Sequence, residues 1–376
     1  MIVGDSLELE VGAVGHGGIC VGHAPDGRVV LIRHALPGER VRVEITETKK
    51  SFLRADAVAI LDASPQRVDP PCRFAGPGRC GGCDWQHVAL EQQRRFKAEV
   101  IETALKRIAG LDRSVTVDAI PGDENGLRWR TRMRLAVGPD GRAGLHRHRS
   151  EEIEPISDCL IAHPSLPVTS VLEEAWPDVE AVDLQSTDTP TAAGRSWHLP
   201  EGGFWQVHPG APDALVNAVL DAVEFDPTDV CLDLYAGVGL FAGAIAPLVP
   251  DGEVIAVESH PDAAAAAAGN LADLTNVTVV TDLVSRWLRR TNEPVDLVVL
   301  DPPRKGAGTD VVAEIVARRP RAVAYVACEP SALARDIAAF QSHDWELADL
   351  RAFDLFPMTA HVECVALLRR RSAPGS

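Results

Sequence analysis

Apolar and polar residues alternate with period two in five short, glycine-punctuated runs near the start of the chain, at 6–14, 18–23, 28–33, 40–48 and 55–61. Such alternation predicts half-buried strands. Five of them in so short a span fit a small β-barrel, either of the OB type that often carries oligonucleotides or another small barrel. A proline-rich stretch from Ser64-Pro65 to Pro70-Pro71 closes this unit. Val88, Leu90, Phe96, Val100, Ile101, Leu105 and Ile108 then recur at helical spacing, predicting one helix over 88–109. Between 115 and 203 the pattern is strand-like with irregular connections, and 177–196 reads as a polar loop. From Val230 onward apolar runs at 230–234, 254–258, 277–281, 295–300 and 322–327 alternate with helical segments, and two further runs at 345–353 and 362–368 follow each other directly. That order predicts an α/β domain with a doubly wound parallel sheet and a terminal antiparallel hairpin at its edge.

Composition changes this picture in three ways. No run of 18 apolar residues occurs and the first residues are no signal peptide, so a soluble, cytoplasmic, monomeric chain with no membrane partner is expected. Eight cysteines spread over 376 residues do not suggest a secreted disulfide scaffold. The net charge of −17 argues against nucleic-acid binding as a whole-chain property. Its distribution argues the other way, because residues 61–150 hold 16 Lys+Arg against 11 Asp+Glu, a local +5, and the remainder carries −22. Within that segment Arg128, Arg130, Arg132 and Arg134 alternate with Trp129, Thr131, Met133 and Leu135. Period two puts the arginines on one strand face, a candidate phosphate track centred on Arg130, Arg132 and Arg134.

Candidate chemistry sits at predicted strand tips, where open parallel sheets bind ligands. Asp233-Leu234-Tyr235-Ala236-Gly237-Val238-Gly239 turns from a strand into a helix, and its paired glycines let a ligand approach the backbone. Glu258 and Asp282 end the next two strands, as ribose and adenine contacts or as ordinary helix caps. Without a third glycine for a pyrophosphate, S-adenosylmethionine suits this set better than a dinucleotide. Asp301-Pro302-Pro303-Arg304-Lys305-Gly306 and Tyr325-Val326-Ala327-Cys328-Glu329-Pro330 end the fourth and fifth strands, and His361-Val362-Glu363 opens the last. A thiol and two carboxylates so placed suit covalent attack on an electrophilic carbon followed by proton removal. Cys328 before a new helix is expected to be a stabilised thiolate rather than a packing thiol, whereas Cys20, Cys231 and Cys364 are assigned to packing. Cys72, Cys80 and Cys83, with Cys159 downstream, offer four thiolates for a structural zinc or an iron–sulfur cluster, which spacing alone does not separate.

Across 72–87, 204–208, 233–239, 301–306, 325–336 and 356–363 the chain resembles the S-adenosylmethionine-dependent uracil-C5 RNA methyltransferases, which make 5-methyluridine in rRNA and tRNA. The resemblance implies a TRAM-type barrel over 1–62, a central iron–sulfur and RNA-binding domain over 63–203 and a class I methyltransferase domain over 204–376. It implies Asp301 and Cys328 framing the uracil, Glu363 as general base, and Gln206, Tyr235, Gly237, Gly239, Glu258, Asp282 and Asp301 around the cofactor. It also favours a [4Fe–4S] cluster on Cys72, Cys80, Cys83 and Cys159, although the gap after Cys72 is two residues longer than the family form. An N-terminal barrel is more typical of rRNA-modifying members, so 23S rRNA is the expected substrate and tRNA the alternative. Glu329 stands in place of the usual Asn, His208 in place of another, and Ala327 where Ser is common. A non-catalytic iron–sulfur RNA-binding protein is the remaining alternative, disfavoured by intact Cys328 and Glu363.

Overall fold

The computed structural model describes residues 1–371. Two compact units result: Met1–Val100 with Gly122–Thr187 and Phe356–His361, and Ile101–Pro121 with Asp188–Leu355 and the chain from Val362 onward.

The first unit begins with β1 (Ser6–Glu10), β2 (Cys20–His23), β3 (Val29–Arg33), β4 (Arg40–Thr48) and β5 (Phe52–Asp62), in spatial order β1-β4-β5-β3-β2. The β3–β5 pair is parallel and the other ladders are antiparallel. The segment just after β1 completes the ring, since Gly12 N–H donates to Val21 O at 2.7 Å and Val21 N–H to Ala13 O at 3.1 Å. β4 shows why this sequence makes a barrel: Val41, Val43 and Ile45 are buried, while Arg40, Arg42 and Glu44 face out. Together with Val30, Ile32 and Leu53 they form its core.

Helix α1 (Leu90–Ala104) runs on through a wider turn to Ala109, where Gly110 ends it in the left-handed conformation at φ 67°. This matches the expected helix closely, glycine being the usual stop. The short β6 (Val117–Ala119) belongs to the second unit. Back in the first unit, β7 (Arg132–Val137), β8 (Ala143–His146), β9 (Ile153–Glu154), α2 (Val168–Glu173) and β10 (Ala181–Gln185) follow, with an antiparallel sheet ordered β10-β7-β8-β9. The supposed polar loop at 177–196 thus contains a strand, and also the small hairpin β11 (Thr191–Ala192) and β12 (Arg195–Ser196). A short alternation around buried Leu184 was hidden by flanking Pro177, Asp178 and Pro190; pairing with β7 completes it.

The second unit runs α3 (Ala211–Ala222), β13 (Val230–Leu234), α4 (Leu240–Ile245), β14 (Glu253–Glu258), α5 (Pro261–Asn270), β15 (Val277–Thr281), α6 (Val284–Arg290), β16 (Leu297–Leu300), α7 (Thr309–Ala317), β17 (Ala322–Ala327), α8 (Pro330–Gln341), β18 (Trp345–Asp354) and β19 (Glu363–Arg370). Eight strands order as β15-β14-β13-β16-β17-β19-β18-β6. The first five are parallel, and β19 is antiparallel to both of its neighbours. Leu232, Leu234, Val298, Val299 and Ala324 are almost wholly buried, as expected of strands covered on both faces. The terminal hairpin forms as expected but is not the outermost pair, because β6 adds parallel to β18. Three residues of strand far upstream give no periodic signal of their own.

Candidate active site at the carboxyl edge of the sheet

The parallel strands β13 to β17 end at one edge, and β19, running the other way, begins there. At the first tip the chain turns sharply: Tyr235, Gly237 and Gly239 all take positive φ, at 64°, 57° and 94°. Only glycine does so without strain, so Tyr235 is held there, its N–H and that of Ala236 both donating to Val257 O at 3.0 and 3.1 Å. A Cβ at Gly239 would meet Leu271 at 2.7 Å, whereas one at Gly237 would meet nothing within 4 Å. Gly239 therefore serves helix packing, and Gly237 leaves its backbone open. Glu258 ties the turn to β14, its Oε2 accepting from Gly237 N at 2.9 Å and its Oε1 from His260 N at 2.7 Å. Buried Asp233, which sequence reading did not single out, accepts from Ala242 N at 2.8 Å. Burial, and then repulsion from Asp301 and Glu258, push its carboxyl up to about 7.

Another proposed cofactor contact, Asp282, has local work of its own. Burial raises the Asp282 carboxyl, but its bonds from Arg286 and Leu283 N–H and the Arg290 charge leave it below the usual carboxylate range. Asp282 is thus held by local partners, although the N-cap of α6 is Leu283 and not Asp282. Gln206 lies half-buried just ahead of α3. Nearby His208, standing for the family Asn, accepts Gly210 N–H on Nδ1 at 3.2 Å where the chain enters α3.

Asp301 follows β16 and donates its N–H to Leu234 O at 3.3 Å, beside the glycine turn. The β17–β19 register pairs Ala327 with Cys364, so the next step brings Cys328 opposite Glu363. These three groups act on one another. Burial, then Glu363 and Asp301, push the Cys328 thiol up to about 12, with Arg304 pulling the other way. Burial and the two carboxyls thus oppose the thiolate that a helix terminus alone would favour. Glu329 caps α8, accepting from Ser331 N at 3.2 Å. It also retains the capping capacity of the Asn it replaces. Glu363 is 3% exposed, and burial plus Asp301 hold its carboxyl well above the usual range, eased by Arg304. Burial lifts Asp301 to about 7.

Asp336 was a further omission of the sequence reading. On α8 it accepts from Tyr325 Oη at 2.6 Å, Ala307 N at 2.7 Å and Gly308 N at 3.1 Å. It fixes the loop that follows Asp301-Pro302-Pro303-Arg304, and a Cβ at Gly306 would meet its Oδ2 at 2.6 Å. The signal available was its position at the end of the Tyr325 motif.

In the first unit Cys72, Cys80, Cys83 and Cys159 are electrostatic neighbours. Burial pushes Cys80 up to about 11 and Cys83 higher still, and the other thiols of the set add to both. Gly82 N–H donates to Cys80 Sγ and Gln86 Nε2–H to Cys83 Sγ, each at 3.4 Å. The expected closed ligand cage is not formed: among the described residues no three His, Cys, Asp or Glu side chains are arranged to hold a metal ion.

The arginine stripe is shorter and less uniform than its spacing suggested. β7 starts at Arg132, Arg128 has φ 57° and pairs with Asp158 at 2.8 Å, and Arg134 pairs with Asp183 of β10 at 3.0 Å. Trp129, Met133 and Leu135 are buried opposite, so the two-sided pattern itself holds. Changing Arg130, Arg132 and Arg134 together to Gln is expected to weaken RNA binding. The salt slope should flatten by about 0.7–0.9 per lost phosphate contact, and fewer than three contacts should be lost because Arg134 is already paired. Binding titrations across salt concentrations check this; an unchanged slope would remove the stripe from the interface.

An α/β sheet with an open glycine turn at one strand tip and a cysteine between two carboxyls at the next ones defines a methyltransferase-type site. Residues 2–58 match the TRAM domain family, and residues 288–371 match the family described as tRNA (Uracil-5-)-methyltransferase. An uncharacterized RNA methyltransferase of Streptomyces avermitilis is 44% identical, over 97% of this chain and 98% of that protein. One from Corynebacterium efficiens is 34% identical over 98% and 96%. In overall fold the chain resembles the crystal structure of Pyrococcus abyssi tRNA (uracil-54, C5)-methyltransferase with S-adenosyl-L-homocysteine, at TM-score 0.69 and 22% identity, covering 96% of this chain and 99% of that one. The chain belongs to this RNA methyltransferase family, as a member with an N-terminal TRAM domain and a C-terminal uracil-5-methyltransferase domain. No helix among the described residues is long and apolar enough to cross a membrane.

Proposed function

We propose that this enzyme forms 5-methyluridine in RNA, with Cys328 as nucleophile at uracil C6, Glu363 as the base at C5, and Asp301 holding the uracil. The observation that carries this reading is the β17–β19 register, which pairs Ala327 with Cys364 and leaves Cys328 and Glu363 at the adjoining ends of the two strands. Uracil C5 is a poor nucleophile; addition of the Cys328 sulfur to C6 breaks the C5–C6 double bond and makes C5 an enolate carbon. S-adenosylmethionine, when bound, supplies a methyl group on a positively charged sulfonium, whose charge favours ionisation of all three acidic groups. The open backbone at Gly237, with Tyr235, Glu258 and Gln206, suits its nucleoside part; the already paired Asp282 is the weakest member of that set. Glu363 then takes the C5 proton, the C5–C6 double bond reforms, and the Cys328 sulfur leaves. A carboxyl whose pKa burial has raised is a stronger base once ionised, which suits removal of a carbon-bound proton.

The proposed substrate is 23S rRNA, with tRNA as the alternative. The barrel does not discriminate between them, because a tRNA enzyme of known structure aligns with 96% of this chain. Mapping 5-methyluridine in rRNA and tRNA of a deletion strain decides. Loss of one site from 23S rRNA is expected; loss from tRNA establishes the alternative; loss from neither overturns uridine methylation.

The four cysteines fit a [4Fe–4S] cluster in donor type and in the N–H groups aimed at two sulfurs, though they must close up to ligate one. Such a cluster would hold the segment together rather than transfer electrons. Anaerobically purified protein is then expected to be brown, with iron and acid-labile sulfide, and Cys83→Ser to give less soluble protein, because ligand binding contributes to folding. Colourless protein with stoichiometric zinc would contradict this.

A further inference from the structure

Arg304 is the positive side chain that acts on both Cys328 and Glu363, opposing burial and the Asp301 carboxyl at each. It is exposed, and among the described residues no hydrogen bond or ion pair holds its side chain. Its place is therefore set by its backbone.

That backbone is a four-residue turn. Gly306 N–H donates to Pro303 O at 2.8 Å, which leaves Arg304 and Lys305 at the two corners. Gly306 has φ 86°, and a Cβ there would meet Asp336 Oδ2 at 2.6 Å and Ala332 Cβ at 3.4 Å, so the end of the turn sits directly on α8. The chain leaving it is gripped by Asp336. Oδ2 accepts Ala307 N–H at 2.7 Å, and Oδ1 accepts the N–H of Gly308, the residue before α7, at 3.1 Å. Tyr325 of β17 adds a third bond, its Oη donating to Asp336 Oδ2 at 2.6 Å while accepting Ala307 N–H at 3.1 Å. Asp336 and Tyr325 are 4% and 0% exposed. One buried carboxylate thus joins β17, α8 and the start of α7 to the turn that carries Arg304.

The partners explain the residue type. Backbone N–H groups point at both carboxylate oxygens, whereas an amide of the same shape has only one oxygen. Asn here would face an N–H against Ala307 or Gly308 in either orientation. Burying a carboxylate with no cation against it is unfavourable, and among the described residues no cation pairs with Asp336. A packing role alone would be met better by a neutral side chain.

We infer that Asp336 is a positioning residue for the reaction at Cys328: by clamping residues 306–308 it keeps the Arg304 guanidinium facing the thiol and Glu363. The inference rests on Cys328 being the reacting thiol proposed above, but not on uridine being the substrate.

Iodoacetamide alkylation of Cys328 in the full-length protein at pH 8, followed by the mass of its peptide, reports the thiolate and tests the clamp. Arg304→Gln and Asp336→Asn are each expected to slow alkylation about 3- to 10-fold, within the range for coupled neighbours. In the Arg304→Gln background Asp336→Asn should change the rate by less than about twofold, because the charge it positions is gone. Loss of the Asp336 charge by itself would act the other way, easing thiolate formation. A general loosening of the site would act equally in both backgrounds. Tyr325→Phe, which removes only the hydroxyl, takes the place of Asp336→Asn if that variant does not fold. Unchanged or faster alkylation on breaking the clamp, or the same factor with and without Arg304, overturns the inference. Coupling in a protein that forms no adduct with fluorouracil RNA keeps the clamp and overturns the uridine reaction; an adduct without coupling does the reverse.

Discussion

Cys328→Ala is expected to abolish methyl transfer, by on the order of 10⁴-fold or more, the scale on which removing a nucleophile acts. Without the sulfur nothing makes C5 nucleophilic, and no other thiol takes its place: Cys364, its neighbour across the ladder, is wholly buried in β19. Cofactor affinity should stay nearly unchanged, because the glycine turn and Glu258 form contacts of their own that do not involve Cys328. Transfer assays paired with calorimetric titration of S-adenosylmethionine separate the two effects. Full activity would remove the covalent route.

Glu363→Gln should give the opposite phenotype, accumulation rather than loss. The amide is nearly isosteric and keeps a polar group in the buried position. It also removes one of the carboxyls that raise the Cys328 thiol, so thiolate formation is not hindered. Addition at C6 and methyl transfer need no proton removed from C5, and both should proceed. Elimination should slow by about 10²–10⁴-fold, the usual worth of a positioned base. The variant, given uracil RNA and cofactor, should therefore collect as protein joined to RNA bearing one added methyl group, visible by denaturing electrophoresis and mass. Ordinary turnover would reassign the base, His361 being the next candidate in the chain.

Much of the second unit was legible because its physics is local. Buried parallel strands read as apolar runs, and each reactive motif follows one directly, so placing Asp301, Cys328 and Glu363 at one edge required only the strand directions. The barrel was legible for the same reason, through alternation such as Val41-Arg42-Val43-Glu44-Ile45. What escaped was non-local. β6 and β10 are strands chiefly because distant partners complete them. Asp183 and Asp158 neutralise arginines that looked unopposed in the sequence. The helix terminus beside Cys328 was visible in sequence, whereas the convergence of Glu363 and Asp301 on the thiol appears only in the fold. Asp336 and Asp233 were missed likewise, each bonding backbone many residues away.

The central claim, covalent methylation of uridine through Cys328, is tested most directly by peptide mapping of the adduct trapped on 5-fluorouracil-substituted 23S rRNA and tRNA transcripts. Fluorine at C5 cannot leave as a proton, so the reaction stops after methyl transfer. The account predicts, with S-adenosylmethionine present, a stable adduct whose Cys328 peptide carries fluorouridine plus one methyl group. No adduct on either RNA class, or an adduct mapped to another residue, would contradict it.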